Sequence, residues 1–242
     1  MININRHPDA PTSLSTPEIK SYIQAVIQYL DSPEGKSKPK KPASYRSSDL
    51  LEAFDRDFYA KCYLTEQKYV NADAMDVEHF APQNESPHLA YEWSNLFPAE
   101  HYSNMIKPRK TPEGGYLNPC NPNDDVENDI VYTLSSYGDD PCFLPREDSN
   151  TKAVNTCNLL DRVHNGHDET TQGGTKALRH AIHRKYIDIL NMIVAFRSCE
   201  NGTQEQFQLK RELKDMLSRK SSFTMLIRSI PAVRQLGDDL LD

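Results

Sequence analysis

The chain has 242 residues, a formal net charge of −7, a pI near 5.6 and a mean hydropathy of −0.71. That length suffices for one core or two small ones, and 12 tyrosines with 8 phenylalanines argue against wholesale disorder. The acidity argues against a protein that coats nucleic acid unaided, and no apolar run approaches the roughly 18 residues needed to span a bilayer.

The opening MININRHPDAPT has no basic region followed by an apolar stretch, so a cytoplasmic protein is expected. Cys62, Cys120, Cys142, Cys157 and Cys199 are odd in number and widely spaced, which predicts reduced thiols. The first helix is predicted in STPEIKSYIQAVIQYL. Ser15 and Glu18 have capping-box spacing, Pro17 suits a first turn, and Ile19, Tyr22, Ile23, Val26, Ile27 and Leu30 form one stripe. DSPEGKSKPKKPAS reads as a basic linker, and a second helix is expected over about Ser48 to Lys61, with Leu51, Phe54 and Phe58 at helical spacing.

KCYLTEQKYV and DAMDVEHFAP then read as two short extended segments joined by a polar turn, with Pro82 closing the second. YEWSNLFPAEHYSNMIK reads as a turn leading into a helix. A strand or its exit would carry Glu78 and His79, and the entry and body of the helix Asn95, Asn104 and Lys107. TPEGGYLNPCNPNDDVEND is loop, and IVYTLSSYGDDPCFLPRE predicts a strand, a turn at Tyr137 to Pro141 and a second extended piece. The last third is helical. Leu178, Ile182, Tyr186, Ile189, Ile193 and Phe196 recur every three or four residues until Gly202, and helices are expected over about Thr203 to Lys220 and Phe223 to Arg228. The predicted class is mostly α-helical α+β, divided into 1–61, 62–110 and 111–242.

The stretch from Met75 to Lys110 carries the chemistry. Phosphodiester hydrolysis needs a deprotonated water, a cation on the phosphate and leaving oxygens, and a route for protons. Mg²⁺ is held by a few hard oxygens, and Glu78 and Asn104 offer a carboxylate and an amide oxygen. His79, adjacent to Glu78 but directed differently on a strand, is a candidate general base. Lys107, one turn beyond Asn104, is a candidate phosphate contact. Taken singly, each is more often an ordinary surface residue; the combination carries the weight.

DVEHFAP, YEWSNLFPA and SNMIK together resemble the HNH endonuclease motif, whose fold is a β-β-α-metal finger. The resemblance implies Glu78 and Asn104 as ligands of Mg²⁺ or Mn²⁺, His79 as the base, and Asn95 as the residue that fixes the loop and orients the base. Trp93, Leu96 and Phe97 match its packing signature. Many relatives carry a structural zinc on two C-x-x-C pairs. Here Cys62 and Thr65, then Glu100 and Ser103, stand at those positions, a poor zinc set, so no structural zinc is expected.

The chain is also similar to the HNH proteins that accompany an ABC-type ATPase in bacterial Septu-type anti-phage systems, some attached to retrons. MININRHPDAPTSL and the tail pattern NTCNLLDRVHNG carry that likeness. It implies a nuclease acting on nucleic acid, DNA ahead of RNA, beside an ATPase partner. The alternative is a partner-binding subunit whose finger acts only in the assembly, or binds nucleic acid without cutting.

Basic clusters at Lys36–Arg46, Lys107–Lys110, Arg179–Lys185 and Leu209–Lys220 read as solvated faces, with only the one beside the site a candidate for phosphate. His101 is a competing ligand candidate. His164, His167, His180 and His183 permit a second metal site by spacing but are read as surface or phosphate-contact residues. TQGGTK lacks full P-loop spacing, which argues against nucleotide binding by this chain.

Overall fold

The computed structural model describes residues 1–34, 37–42, 44–166 and 172–241. About 49% is helical, and the sheet content is two small antiparallel pairs, a mostly α-helical α+β architecture. The chain forms two compact units: Ile4–Tyr63 with Tyr69–Glu113, and Met1–Asn3 with Leu64–Lys68 and Gly114–Asp242. Most of the 1–61 and 62–110 segments, predicted as separate domains, therefore share one unit. Among the described residues no helix is long and apolar enough to cross a membrane.

In the first unit, α1 (Pro17–Asp31) starts where Thr16, rather than Ser15, caps it: Ile19 N donates to Thr16 Oγ1 at 3.3 Å, with Pro17 in the first turn. Its buried stripe is narrower than the sequence pattern, with Ile19, Tyr22 and Val26 inside and Ile27 and Leu30 exposed. The second helix, α2 (Ser48–Phe58), buries Leu50, Ala53, Phe54 and Phe58. It stops three residues before the predicted Lys61, because Tyr59 and Ala60 take left-handed φ values of 58° and 56°.

The pairing of strands differs from the sequence expectation. β1 (Asp76–His79) pairs antiparallel with β2 (Leu96–Ala99), in the register Asp76↔Ala99, Glu78↔Phe97 and His79↔Leu96. No strand forms in KCYLTEQKYV, which has a turn at Tyr63–Thr65 and isolated bridge residues at Lys61 and Lys68. β2 lies within the stretch predicted as a turn into a helix. Pro98 demotes that stretch as a strand when read from sequence, yet a two-stranded sheet has only edges and tolerates it. Pro98 also serves as an acceptor: Tyr63 N donates to its carbonyl at 3.0 Å. A short helix, α3 (His101–Ile106), follows, with Glu100 accepting from Ser103 N at 2.8 Å as its cap.

This ββα unit rests on aromatics from α2. Phe54 stacks on Trp93 at 5.6 Å, and Phe58 meets Phe97 edge-on at 5.7 Å. Arg6 lies with its guanidinium 4.3 Å from the Trp93 ring and 4.2 Å from the Phe97 ring, and donates to the carbonyls of Trp93 and Leu96.

The second unit contains the predicted hairpin and the three predicted C-terminal helices, together with helices over Thr151–Asn165 and Pro231–Arg234 that the sequence pattern does not mark. β3 (Ile130–Thr133) and β4 (Cys142–Pro145) form a hairpin, with Tyr132 opposite Phe143. Helices α4 (Thr151–Asn165), α5 (Gln172–Ser198), α6 (Gln204–Leu217), α7 (Thr224–Ser229) and α8 (Pro231–Arg234) cover it. Gly202, at φ +80°, turns the chain from α5 into α6, which Thr203 caps. Leu160, Ile182, Ile189, Leu213, Ile227 and Ile230 make its buried core.

Candidate active site

β1 ends on a turn whose geometry is set by one buried amide. Asn95 Oδ1 accepts from Ala81 N at 2.7 Å, while its Nδ2 donates to the carbonyls of Ala81 and Leu89, both at 3.2 Å. Three bonds from a single side chain fix the chain on both flanks of the loop from Phe80 to Ala90. The Ala90 carbonyl then lies 3.0 Å from His79 Nε2.

A carbonyl oxygen only accepts, so Nε2 carries the proton and Nδ1 holds the lone pair. Gln83 Nε2 sits beside the ring edge, 2.9 Å from that Nδ1 and 2.8 Å from Nε2, and Lys41 donates to the Gln83 side-chain oxygen. The Tyr45 ring stands edge-on to the imidazole at 4.9 Å. Burial pushes the His79 pKa down to about 4. The Ala90 bond opposes that fall, and the Lys41 and Lys107 charges add to it. The imidazole is therefore neutral at neutral pH, with the Gln83 amide against its unprotonated nitrogen.

Glu78 lies on the other face of β1. Its Oε2 accepts from the Tyr63 hydroxyl at 3.0 Å and its Oε1 from Lys107 Nζ at 2.5 Å, both ion-pair partners being buried. Lys107 Nζ also donates to the carbonyls of His79 (3.0 Å) and Phe80 (2.8 Å). Lys107 thus sits at the end of α3 with its charge turned inward onto three oxygens, and reaching a phosphate requires that pair to open. Asn104 faces a different carboxylate: its Nδ2 donates to Asp76 Oδ2 at 3.0 Å, beside His101 Nδ1 at 2.8 Å from the same oxygen.

Glu78, His79, Asn104 and Lys107 nevertheless line one open cavity of about 450 Å³, together with Tyr45, Gln83 and Arg109. Asn95 stays outside it and acts through the loop. Among the described residues no group of three or more His, Cys, Asp or Glu side chains is placed to hold a metal. The oxygen donors that line the cavity, the Glu78 carboxylate and the amides of Gln83, Asn84 and Asn104, are hard and few, which suits Mg²⁺, an ion that keeps most of its waters. The fit has a physical marker: the oxygens around Lys107 Nζ already hold a positive charge at Glu78.

Sequence reasoning missed Asp76, Tyr63, Tyr45 and Gln83. Asp76 had a usable signal, since strand alternation puts residues two apart on one face. Tyr45 and Gln83 had none, for both come from irregular segments brought in by folding. At the four positions considered for a structural zinc, Cys62 Sγ lies 3.4 Å from Ser103 Oγ and Glu100 caps α3.

The second histidine group does not converge on a point. His164 is buried in α4, its Nδ1 donating to the Leu160 carbonyl at 2.8 Å, and burial lowers its pKa to about 4. His180 and His183 line a separate cavity on α5, and His167 lies outside the described residues. Comparison of the chain with protein-family models, curated proteins and solved structures finds no match.

Proposed function

We propose that this chain is a metal-dependent endonuclease of the HNH type, hydrolysing phosphodiester bonds in nucleic acid, with DNA ahead of RNA as substrate. The observation that carries the reading is the His79 imidazole: neutral, fixed in one tautomer by the Ala90 carbonyl, and lining the same cavity as Glu78 and Asn104. A ββα unit with these residues on its first strand and helix supports it further.

In this mechanism His79 Nδ1 takes the proton from the attacking water, for which Gln83 must first release that nitrogen. Asn95 is a positioning residue, holding the loop whose Ala90 carbonyl orients the base. Glu78 and Asn104 would hold Mg²⁺ or Mn²⁺, which supplies charge stabilisation at the phosphate and leaving oxygens. Lys107 contributes a positive charge at the floor of the cleft, and Arg109 lines the same cleft.

The resemblance to Septu-type proteins adds an assignment to cytoplasmic anti-phage defence beside an ABC-type ATPase. A net charge of −7 favours a grip on nucleic acid supplied in part by that partner. Incubating supercoiled plasmid with the purified chain in Mg²⁺, Mn²⁺ and EDTA tests the reading. Metal-dependent nicking that disappears in His79→Ala supports a self-sufficient nuclease. Nicking that persists in His79→Ala overturns the assignment. Cleavage that appears only with the partner ATPase present supports the alternative, a subunit active only in the assembly.

A further inference from the structure

The ββα unit joins its first strand to its helix through two polar rungs. Asp76 and Glu78 alternate along β1 and so share a face of it. Asn104 and Lys107, the C-cap of α3, lie one turn apart on one side of that helix. Glu78 meets Lys107 in one rung, and Asp76 meets Asn104 in the other. The first rung is buried, whereas the Asp76 side chain is 36% exposed, so the second borders solvent. Glu78, Asn104 and Lys107 line the cleft that holds His79, and Asp76 stands outside it.

The Asp76 rung fixes the sense of an amide. Asn104 Nδ2 donates to Asp76 Oδ2 at 3.0 Å. An ionised carboxylate only accepts, so the amide nitrogen must face Asp76, and Oδ1 is the end turned away from it. One turn earlier on α3, His101 Nδ1 donates to the same Oδ2 at 2.8 Å, which ties Asp76 to the helix at a second point. Asn104 Oδ1 has no hydrogen-bond partner among the described residues, and Asp76 is the one partner of that side chain among them.

The two ends of an amide are opposite in kind to a cation. The oxygen is a hard ligand that suits Mg²⁺ or Mn²⁺, while the NH₂ end presents positive hydrogens. Without Asp76, nothing described would stop the amide from turning its nitrogen into the cleft. We infer that Asp76 is a positioning residue: by accepting from Asn104 Nδ2 it keeps Oδ1 as the end offered to the cation, without being a ligand itself. The inference rests on the nuclease reading, in which Asn104 holds the metal. It gives a role to a carboxylate that the sequence pattern did not single out. Removing a partner that orients a metal ligand typically weakens metal affinity about 10–100-fold.

The test is Mn²⁺ binding to the full chain, read from the free-ion signal in electron paramagnetic resonance. The parent is compared with Asp76→Ala, Asp76→Asn, Asn104→Ala and the Asp76→Ala/Asn104→Ala pair, each first shown to be folded by its Trp93 urea transition. Asp76→Ala is expected to weaken binding about tenfold or more. Asp76→Asn should return it to within about threefold of the parent, because the donors on His101 and Asn104 both select an amide oxygen. Asparagine as weak as alanine would show that Asp76 acts through its charge, which overturns the inference. In the Asn104→Ala background there is no amide to orient, so Asp76→Ala should change binding by less than about threefold. A further loss of about tenfold there would make Asp76 a ligand and overturn the positioning role. Binding that depends on Asn104 but is unchanged by Asp76→Ala overturns this inference alone. Parent protein that does not bind Mn²⁺ saturably, or binding indifferent to Asn104→Ala, overturns the metal site of the nuclease reading and this inference with it.

Discussion

Replacing Lys107 with methionine tests how the site is held together. Its ammonium and the Glu78 carboxylate are both buried, 2.5 Å apart, with side chains only 3% and 6% exposed. Methionine keeps most of the aliphatic volume and removes the charge. Glu78 is then left buried with Tyr63 as its remaining charge-stabilising donor, and the carbonyls of His79 and Phe80 lose theirs. Breaking one side of a buried pair costs about 3–5 kcal/mol, because the remaining charge stays desolvated without compensation. Adding Glu78→Gln removes that charge while the amide oxygen can still accept from Tyr63, so the double variant should cost only about 1–2 kcal/mol. The protein has one tryptophan, Trp93, stacked on Phe54 in the same unit, so urea unfolding followed by its fluorescence reports on this region directly. A single variant within about 1 kcal/mol of the parent, or a double variant as unstable as the single, would refute the reasoning.

Other outcomes follow from the same geometry. The His79 pKa of about 4 lies below the roughly 6.5 of an unfolded imidazole, so the unfolded chain binds the extra proton first as pH falls. Stability is complete above about pH 6.5 and is lost toward pH 4; the Trp93 transition at pH 5 should lie roughly 2 kcal/mol below that at pH 7, and a flat profile in this window contradicts the burial argument. Asn95→Ala should cost about 2–4 kcal/mol and speed hydrogen exchange at the Ala81 amide, which donates to its side chain, whereas an unchanged exchange rate there would show the loop is held by something else. Thr16→Ala should lower stability by about 1 kcal/mol through loss of the α1 cap, and a Ser15→Ala variant should cost less, since Thr16 and not Ser15 makes the bond; the reverse order in urea melts would reject that assignment. In the cleavage assay Gln83→Ala should retain metal-dependent nicking while His79→Ala loses it, which separates a residue that must move aside from one that takes the proton.

Much of the fold was legible locally. α1, α2, α5 and α6 follow from apolar spacing with Pro17 and Gly202 as punctuation, although Thr16 and not Ser15 caps α1, and the β3–β4 hairpin follows from two apolar pieces around a polar turn. The error at β2 has a local cause: four residues, one of them Pro98, carry too little pattern to register as a strand until β1 lies beside them. Glu78, His79 and Asn104, named from sequence as candidates, line one cavity, and Asn95 holds the loop beside it.

By itself the sequence determined which groups could do chemistry and which faces of the helices would be buried, because residue type and helical period are local properties. Which groups meet was decided only in three dimensions. Asp76 rather than Glu78 faces Asn104, Lys107 turns inward onto Glu78, and Gln83 rests on the base nitrogen of His79. Such pairings depend on strand register, loop path and the competition among buried polar atoms for partners, and those are settled when the whole unit packs.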